Sequence, residues 1–211
     1  MTPSDFERVQ RALMLSQAAY DFSKIPVGPE WSAPTFILDH GFCASWNGTL
    51  FVAFRGTRDL HDWLSDIDSD PNDLGIHSGF YNLYAALQPA MVEAMSGFPY
   101  MPVEFCGHSL GSALAVIAAY STPGARSITF ASPRIFSAAR AQTLPQEGLR
   151  IANERDIVPH LPGRGGFWRW EHRAKAYRFK GSSFELAHAH SLDESYAPAL
   201  DGTLEGPLDL A

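Results

Sequence analysis

The chain has 211 residues, of which 45% are hydrophobic and 18% charged, and its formal net charge is −7. This balance excludes an intrinsically disordered chain and predicts a single domain over residues 1–211 with a substantial buried core. The negative charge argues against nucleic acid as a partner. Two cysteines are too few to form a disulfide framework.

Targeting signals are not evident in the sequence. The first ten residues have neither the basic nor the apolar segment of a secretory signal. The longest unbroken apolar run, residues 113–120, is much shorter than a transmembrane helix. We therefore expect no transmembrane segment and a cytoplasmic protein by default, with export that needs no cleaved signal as the alternative. The oligomeric state stays open.

Hydrophobic periodicity predicts strands that alternate with helices. A first helix is expected over residues 4–20 with Ser4 as its N-cap, and Asn47-Gly48 is a turn signal between two strands. The predicted strands cover residues 35–42, 49–56, 101–107, 126–132, 148–154 and 175–181. The further predicted helices cover residues 80–95 (kinked at Pro89), 109–120, 136–144 and a short segment from about Ser191. This alternation predicts a mostly parallel central sheet with helices on both faces.

The sequence Gly107-His108-Ser109-Leu110-Gly111 lies where a predicted strand meets a predicted helix. A serine on so sharp a turn requires glycine two residues before and after it, because a Cβ there would meet the neighbouring backbone. Strand, serine turn and helix together are typical of the nucleophile elbow of α/β-hydrolases. The pattern predicts Ser109 as a nucleophile, with the Leu110 N–H as an oxyanion donor at the helix N-terminus.

A nucleophilic serine needs a base, and in this fold the order along the chain is serine, acid, histidine. Asp156 is the aspartate that lies between Ser109 and the last histidine, directly after a predicted strand, and Glu154 is its rival. Four histidines follow Asp156. We favour His190 as the base because it directly precedes the predicted last helix. The other three are His160, His172 and His188.

Metal binding has weak support in the sequence. His188 and His190 form a His-x-His pair, but no third ligand at a recognisable spacing accompanies them. Six aspartates occur within residues 59–73, yet an EF-hand loop that starts at Asp66 would have proline at position six and histidine at position twelve. We therefore expect neither a metal ion nor an organic cofactor, and we interpret the acidic run as a solvated loop.

Seven blocks in the same order as in a known family extend across most of the chain. They are FVAFRGT (51–57), DWLSDID (62–68), IHSGFYNLY (76–84), GHSLGSALA (107–115), TFASPRI (129–135), NERDIVPHLP (153–162) and HSLDESY (190–196). With these blocks the chain resembles the class 3 lipases, which include fungal triacylglycerol lipases and plant phospholipase-like acylhydrolases. The resemblance implies the α/β-hydrolase fold and the triad Ser109, Asp156 and His190.

The resemblance also implies residues around the triad. Thr57, which follows the Arg-Gly pair, would join Leu110 in the oxyanion hole, and Asp66 would support the Thr57 hydroxyl. A short lid would cover residues 58–65, with Leu60 and Trp63 facing the acyl groove.

A basic, aromatic stretch over residues 163–181 contains Phe167 and Trp168. Because this stretch lies between Asp156 and His190 in the sequence, we expect it to border the site. The two rings would then line the acyl groove or touch a lipid surface. The alternative is that these aromatic side chains simply pack the loop down.

The sequence therefore predicts a serine carboxylic-ester hydrolase that cleaves acylglycerols or other lipid esters through an acyl-enzyme intermediate. Its partner would be a lipid or small ester, also at a lipid–water interface. A phospholipase A1-like activity, a short-chain or feruloyl esterase, and a catalytically silent lipase-like interaction protein are the alternatives.

Overall fold

The computed structural model of the chain describes residues 1–57, 59, 70–164 and 168–200. The helices in these ranges are Pro3–Ala18 (α1), Ser78–Met95 (α2), Leu110–Ser121 (α3), Ala138–Thr143 (α4), Leu186–His190 (α5) and Ala197–Leu200 (α6). Short 3₁₀ helices cover Phe22–Lys24 and Val158–His160, and a π-helix covers Leu192–Tyr196.

The strands are Thr35–Ile37 (β1), Gly41–Trp46 (β2), Thr49–Phe54 (β3), Val103–His108 (β4), Arg126–Phe130 (β5), Phe136–Ser137 (β6), Leu149–Asn153 (β7), Trp170–Glu171 (β8) and Lys175–Phe179 (β9). Within the described residues, seven of them form one sheet in the order β1-β2-β3-β4-β5-β7-β9. Strands β3, β4, β5, β7 and β9 run parallel, and β2 runs antiparallel to β1 and β3. The short strands β6 and β8 pair separately. The expected mostly parallel sheet is present.

Two apolar cores cover the two faces of the sheet. In β3, Phe51 and Ala53 belong to the core that α1 completes, whereas Val52 and Phe54 belong to the core of α2 and α3. This alternation is the two-residue period of a strand buried on both faces. Helix α3 is buried throughout residues 111–118 because its residues there are small or apolar.

The carboxyl ends of the parallel strands meet at one edge of the sheet. Strand β3 leads there to Thr57, β4 to Ser109, and β7 to the loop that contains Asp156. In open α/β sheets, this edge is where binding crevices form. The topology therefore brings together residues that are about 50 apart along the chain.

Several predicted boundaries were wrong, and three of them change how a residue or an element is assigned. The N-cap of α1 is Thr2, whose side chain accepts a hydrogen bond from the Asp5 N–H, and not Ser4. The predicted strand 35–42 is interrupted by a turn, in which Leu38 has a φ of 50°, so β1 and β2 are separate strands. Helix α4 begins at Ala138 rather than at residue 136, because Phe136 and Ser137 pair with β8.

Candidate active site

Ser109 occupies a strained turn between β4 and α3. Its backbone has φ 57° and ψ −127°, a conformation that residues other than glycine rarely adopt. A Cβ at Gly107 would lie 2.5 Å from the carbonyl carbon of Gly111, and one at Gly111 would lie 2.6 Å from the Arg55 oxygen. Both positions therefore require glycine, and the turn holds Ser109 at the carboxyl edge of the sheet.

Asp156 is completely buried and accepts three hydrogen bonds. Its Oδ1 accepts from the Val158 N–H at 3.0 Å, while Oδ2 accepts from the Tyr196 hydroxyl at 2.9 Å and lies 2.9 Å from His190 Nδ1. Burying a carboxylate is costly unless donors replace water. These three donors compensate the burial and give the carboxylate one orientation.

His190 ends helix α5, and the residue is 6% exposed. Because Nδ1 faces the Asp156 carboxylate, Nε2 is the nitrogen left for other chemistry. Nε2 and the Ser109 Oγ are both buried, and neither forms a hydrogen bond to a described residue. Such atoms are rare in folded proteins, and each calls for an explanation. Hydrogen bonds of active sites are often long before a substrate is bound.

The expected oxyanion donors lie near the serine in the chain. Leu110 is the first residue of α3, so its N–H has no acceptor within the helix and lies at the positive end of the helix dipole. Thr57 borders the same pocket as His190. Its hydroxyl lies 3.2 Å from both the carbonyl oxygen and the N–H of Asp59, and it exchanges hydrogen bonds with them.

His108, which the sequence analysis did not single out, links three elements of the site. Its Nε2 lies 2.8 Å from the backbone oxygen of His190, and its Nδ1 lies 2.8 Å from the Tyr20 hydroxyl. Since a carbonyl only accepts, Nε2 donates and Nδ1 accepts from Tyr20. Burial, with a smaller contribution from His190, places the His108 pKa well below its usual value, so the ring is neutral. Its position directly before Ser109 was the signal available in the sequence.

Tyr196 and Asn153 form the support for the acid. The Tyr196 hydroxyl donates to Asp156 and accepts from the Asn153 N–H at 3.1 Å, and burial raises the Tyr196 pKa well above its usual value. The Asn153 side chain donates to the Ala189 oxygen and to the Ser195 hydroxyl, each at 3.0 Å. These bonds tie the end of β7 to α5 and the π-helix. Neither residue was predicted.

The rival acid and bases lie away from this cluster. Glu154 is exposed directly after β7, and His160 is exposed at the end of the 3₁₀ helix Val158–His160. His172 lies 2.8 Å from the Pro159 oxygen through Nε2, and His188 Nδ1 lies 3.4 Å from a Glu194 carboxylate oxygen.

The predicted lid and groove residues are only partly described. Leu60, Trp63, Asp66, Phe167 and all of segment 58–65 except Asp59 lie outside the described residues. Trp168 is 39% exposed, and its indole N–H donates to Asp70 at 2.8 Å. It is not among the described residues that line the pocket beside His190.

That pocket has a volume of about 410 Å³ and opens beside the carboxyl edge of the sheet. Its lining combines polar and apolar side chains, among them Tyr20, Thr57, His108, His190 and Leu192. The described residues contain no group of three or more His, Cys, Asp or Glu side chains placed to hold a metal ion.

An α/β-hydrolase with a serine elbow and an acid–histidine pair is the class of protein that this fold and site define. The family model described as Lipase (class 3) matches residues 51–166, more than half of the chain. The chain therefore belongs to the class 3 lipase family, as the sequence motifs predicted.

Individual relatives agree with this assignment. The chain is 30% identical over 136 residues to a lipase from Rhizomucor miehei, with 54% of this chain and 38% of that protein covered. It is 28% identical over 161 residues to the secreted mono- and diacylglycerol lipase A of Penicillium cyclopium, with 68% and 50% covered. The chain thus matches half or less of the length of these relatives.

Solved structures confirm the predicted fold. The crystal structure of a lipase from Rhizopus microsporus var. chinensis superposes with a TM-score of 0.69 at 22% identity, covering 87% of this chain and 77% of that one.

The predicted cytoplasmic location is wrong. It is contradicted by the sequence relatives, since the lipase of Penicillium cyclopium is named as a secreted protein. In the described ranges, no helix is both long and apolar enough to span a bilayer.

Proposed function

We propose that the protein is a serine carboxylic-ester hydrolase that cleaves acylglycerols or related lipid esters. The proposal rests on one observation above all. A strained, buried Ser109 and a buried His190 present Oγ and Nε2 without partners among the described residues, while Asp156 holds the other ring nitrogen at 2.9 Å. An ester bound between them completes this arrangement.

In the proposed reaction, His190 Nε2 takes the proton of Ser109 as Oγ attacks the ester carbonyl carbon. Asp156 stabilises the resulting imidazolium and keeps the neutral ring in the tautomer with the proton on Nδ1. The tetrahedral oxyanion accepts hydrogen bonds from the N–H groups of Leu110 and Thr57. Asp66, in the role that the resemblance implies, would then support the Thr57 hydroxyl in place of the Asp59 carbonyl oxygen. His190 then donates its proton to the leaving alcohol, and the acyl group stays on Ser109.

Water completes the cycle. His190 accepts a proton from a water molecule, whose oxygen attacks the acyl-enzyme carbonyl, and then returns the proton to Ser109 as the carboxylic acid leaves. This scheme needs no metal or organic cofactor.

The surrounding residues act as positioning groups. Tyr196 and the Val158 N–H orient the Asp156 carboxylate, and His108 holds the backbone of His190. Since an acyl-transfer site loses rate when reacting atoms are misplaced by about 1 Å, such bonds contribute to catalysis without touching the substrate.

Lipid esters are the proposed substrate class because the fungal relatives are lipases by name. The proposed lid, residues 58–65 with Leu60 and Trp63, and the aromatic Phe167 and Trp168 would meet the acyl chain or a lipid surface.

Hydrolysis of p-nitrophenyl esters from C2 to C16, below and above substrate saturation, tests the proposal. Ser109→Ala should lose all activity and all labelling by a fluorophosphonate probe. Ser121→Ala, at the exposed far end of the same helix, is the matched control and should behave as the wild type.

The outcomes separate the alternatives. A rate maximum at long chains that rises when substrate aggregates form supports a lipase, whereas a maximum at C2 to C6 without that rise indicates a short-chain esterase. Release of the sn-1 fatty acid from phosphatidylcholine indicates a phospholipase A1-like activity. If wild type and Ser109→Ala were equally slow on every ester and equally unlabelled, the interaction-protein alternative would replace the enzyme.

A further inference from the structure

A second pocket, of about 460 Å³, lies at the β7 and β9 end of the sheet, and its lining is unusually basic. Five arginines contribute to its walls: Arg134, Arg150, Arg164, Arg173 and Arg178. They come from β7, from β9, from the segment after β5 and from the segment between the 3₁₀ helix and β9. Ser109 and His190 do not line it, so it is separate from the serine site.

Strand geometry sends two of these arginines into the pocket. Ile151 of β7 and Tyr177 of β9 belong to the core on the α1 face. Their neighbours Arg150 and Arg178 therefore point to the opposite face. On that face, β3 and β4 carry apolar side chains such as Val52 and Phe105, whereas β7 and β9 carry arginine.

Arg150 is the most telling of the set. Arg150 is only 6% exposed, and its Nε is buried without an acceptor. It forms no ion pair with a described residue. Arg134 is 8% exposed and has the same unpaired Nε, although its Nη1 donates to the carbonyl oxygens of His160 and Pro162. Buried guanidinium groups are normally paired with an anion or fully hydrogen-bonded.

Negative charge inside the pocket is scarce. Arg164 pairs with Glu171 at 2.9 Å, and Arg173 donates to the Leu144 oxygen at 2.6 Å. Among the described residues of the lining, Glu154 is the one carboxylate, and it is exposed. Burial, together with the nearby Arg178, lowers the Arg150 pKa to about 10. The described residues therefore leave a buried positive charge uncompensated.

We propose that this pocket binds a small phosphorylated anion, held by Arg150, Arg178 and Arg134. Guanidinium groups bind phosphate through paired N–H donors. Three that converge from different segments suit a tetrahedral group with several oxygens better than a planar carboxylate, which one or two guanidinium groups satisfy. The volume leaves room for a second phosphoryl group or for an organic part. A soluble phosphate ester and a phospholipid headgroup share this chemistry.

Thermal unfolding of the full chain tests the proposal, in a phosphate-free zwitterionic buffer at constant ionic strength. The probes are pyrophosphate and glycerol 3-phosphate, with sodium chloride at matched ionic strength as the reference. A saturating probe should raise the wild-type melting temperature by several degrees, because it binds the folded state alone. Flotation with vesicles of phosphatidylcholine, with and without phosphatidic acid, tests the lipid source.

The variants Arg150→Met and Arg178→Gln should lose the rise in melting temperature. Arg126→Gln, which removes an exposed arginine outside the pocket, should keep it. Without a probe, Arg150→Met should melt no lower than the wild type, because it removes an uncompensated buried charge. Labelling of Ser109 by the fluorophosphonate probe reports whether each variant is folded.

A rise with the soluble probes alone assigns a soluble phosphate ester, and flotation that requires phosphatidic acid and Arg150 assigns a lipid headgroup. If neither probe nor vesicle acts on the wild type beyond the salt reference, the proposal is wrong. The same holds if Arg150→Met and Arg126→Gln respond alike. The wild-type titration decides this even if a variant does not fold.

Discussion

Two buried polar regions flank the segment 153–160, and they treat charge in opposite ways. On one side, Asp156 receives three hydrogen bonds from the chain itself. On the other side, Arg150 Nε is buried without an acceptor among the described residues, and the half-buried Arg178 forms no hydrogen bond or ion pair with them. In the first region, the polar groups around Asp156 have hydrogen-bond partners except at Ser109 Oγ and His190 Nε2, the two atoms of the proposed reaction. In the second region, the guanidinium group of Arg150 lacks a partner at Nε.

The difference shows how unpaired buried atoms can be interpreted. In the acid–histidine cluster, the unpaired atoms are Ser109 Oγ and His190 Nε2, which lie where a substrate is proposed to react. In the pocket lined by the five arginines (the arginine pocket), the unpaired atoms are guanidinium nitrogens, which only donate hydrogen bonds. In our two proposals the partner of these atoms is external, a reacting ester in one region and a bound anion in the other.

The largest expected effect comes from breaking the satisfied region at its acid. Asp156→Asn should lower kcat by about 10⁴-fold, because an amide favours the wrong tautomer of His190 and does not stabilise the imidazolium. Ester hydrolysis with saturating substrate measures this. Glu147→Gln, an exposed carboxylate on the loop before β7, is the matched control and should keep its activity. A loss below about tenfold for Asp156→Asn would remove it from the proposed mechanism.

A smaller effect is expected from Tyr196→Phe, which deletes one donor to Asp156 and one acceptor of the Asn153 N–H. The free energy of unfolding should fall by about 1–3 kcal/mol, because a buried amide loses its partner. We expect kcat to fall by about tenfold with KM unchanged, since about 1.4 kcal/mol of positioning is lost.

Tyr177→Phe provides the comparison for Tyr196→Phe. Tyr177 is 2% exposed, against 0% for Tyr196, and its hydroxyl makes no hydrogen bond to a described residue. Urea unfolding and steady-state kinetics on both variants separate positioning from stability. Equal kcat values for the two variants would mean that the Tyr196 hydroxyl does not position the acid.

The smallest expected effect is on how the free energy of unfolding depends on pH. It is compared for one histidine of each region, His108 beside the serine site and His172 in the lining of the pocket with the five arginines. Burial is the main cause that places the pKa values of His108 and His172 well below the usual value, and nearby Arg150 contributes at His172. The unfolded chain therefore binds more protons below pH of about 6.5, and stability is lost as the pH falls through that value. Each histidine should contribute up to about 1.4 kcal/mol per pH unit.

Urea unfolding between pH 7.5 and 5.5 measures this slope. His108→Gln and His172→Gln should each reduce it, and glutamine Nε2 keeps a donor in the place of histidine Nε2. A probe anion bound in the arginine pocket should reduce the contribution of His172 to this slope and leave that of His108 unchanged. The anion offsets the positive charge of Arg150, which lowers the His172 pKa. Identical slopes in wild type and both variants would show that neither ring stays neutral in the folded state.

Local sequence determined the parts of this protein whose causes are local. The glycines around Ser109 predicted the elbow, since a Cβ at either position collides with backbone nearby. The alternation of strands and helices predicted the sheet, and the chain order of acid and histidine predicted the Asp156–His190 pair, which the fold places 2.9 Å apart.

Tertiary structure decided everything that depends on distant partners. Tyr20 bonds to His108 and Tyr196 to Asp156 across 88 and 40 positions of the chain, so no local pattern announces either bond. The turn that divides the predicted strand 35–42 was missed because its residues do not include glycine or proline. Arg150 was overlooked for the same reason as Tyr196, since its partners are distant in the sequence. The sequence shows on which face of a strand a side chain lies, whereas only the folded sheet shows what that side chain faces.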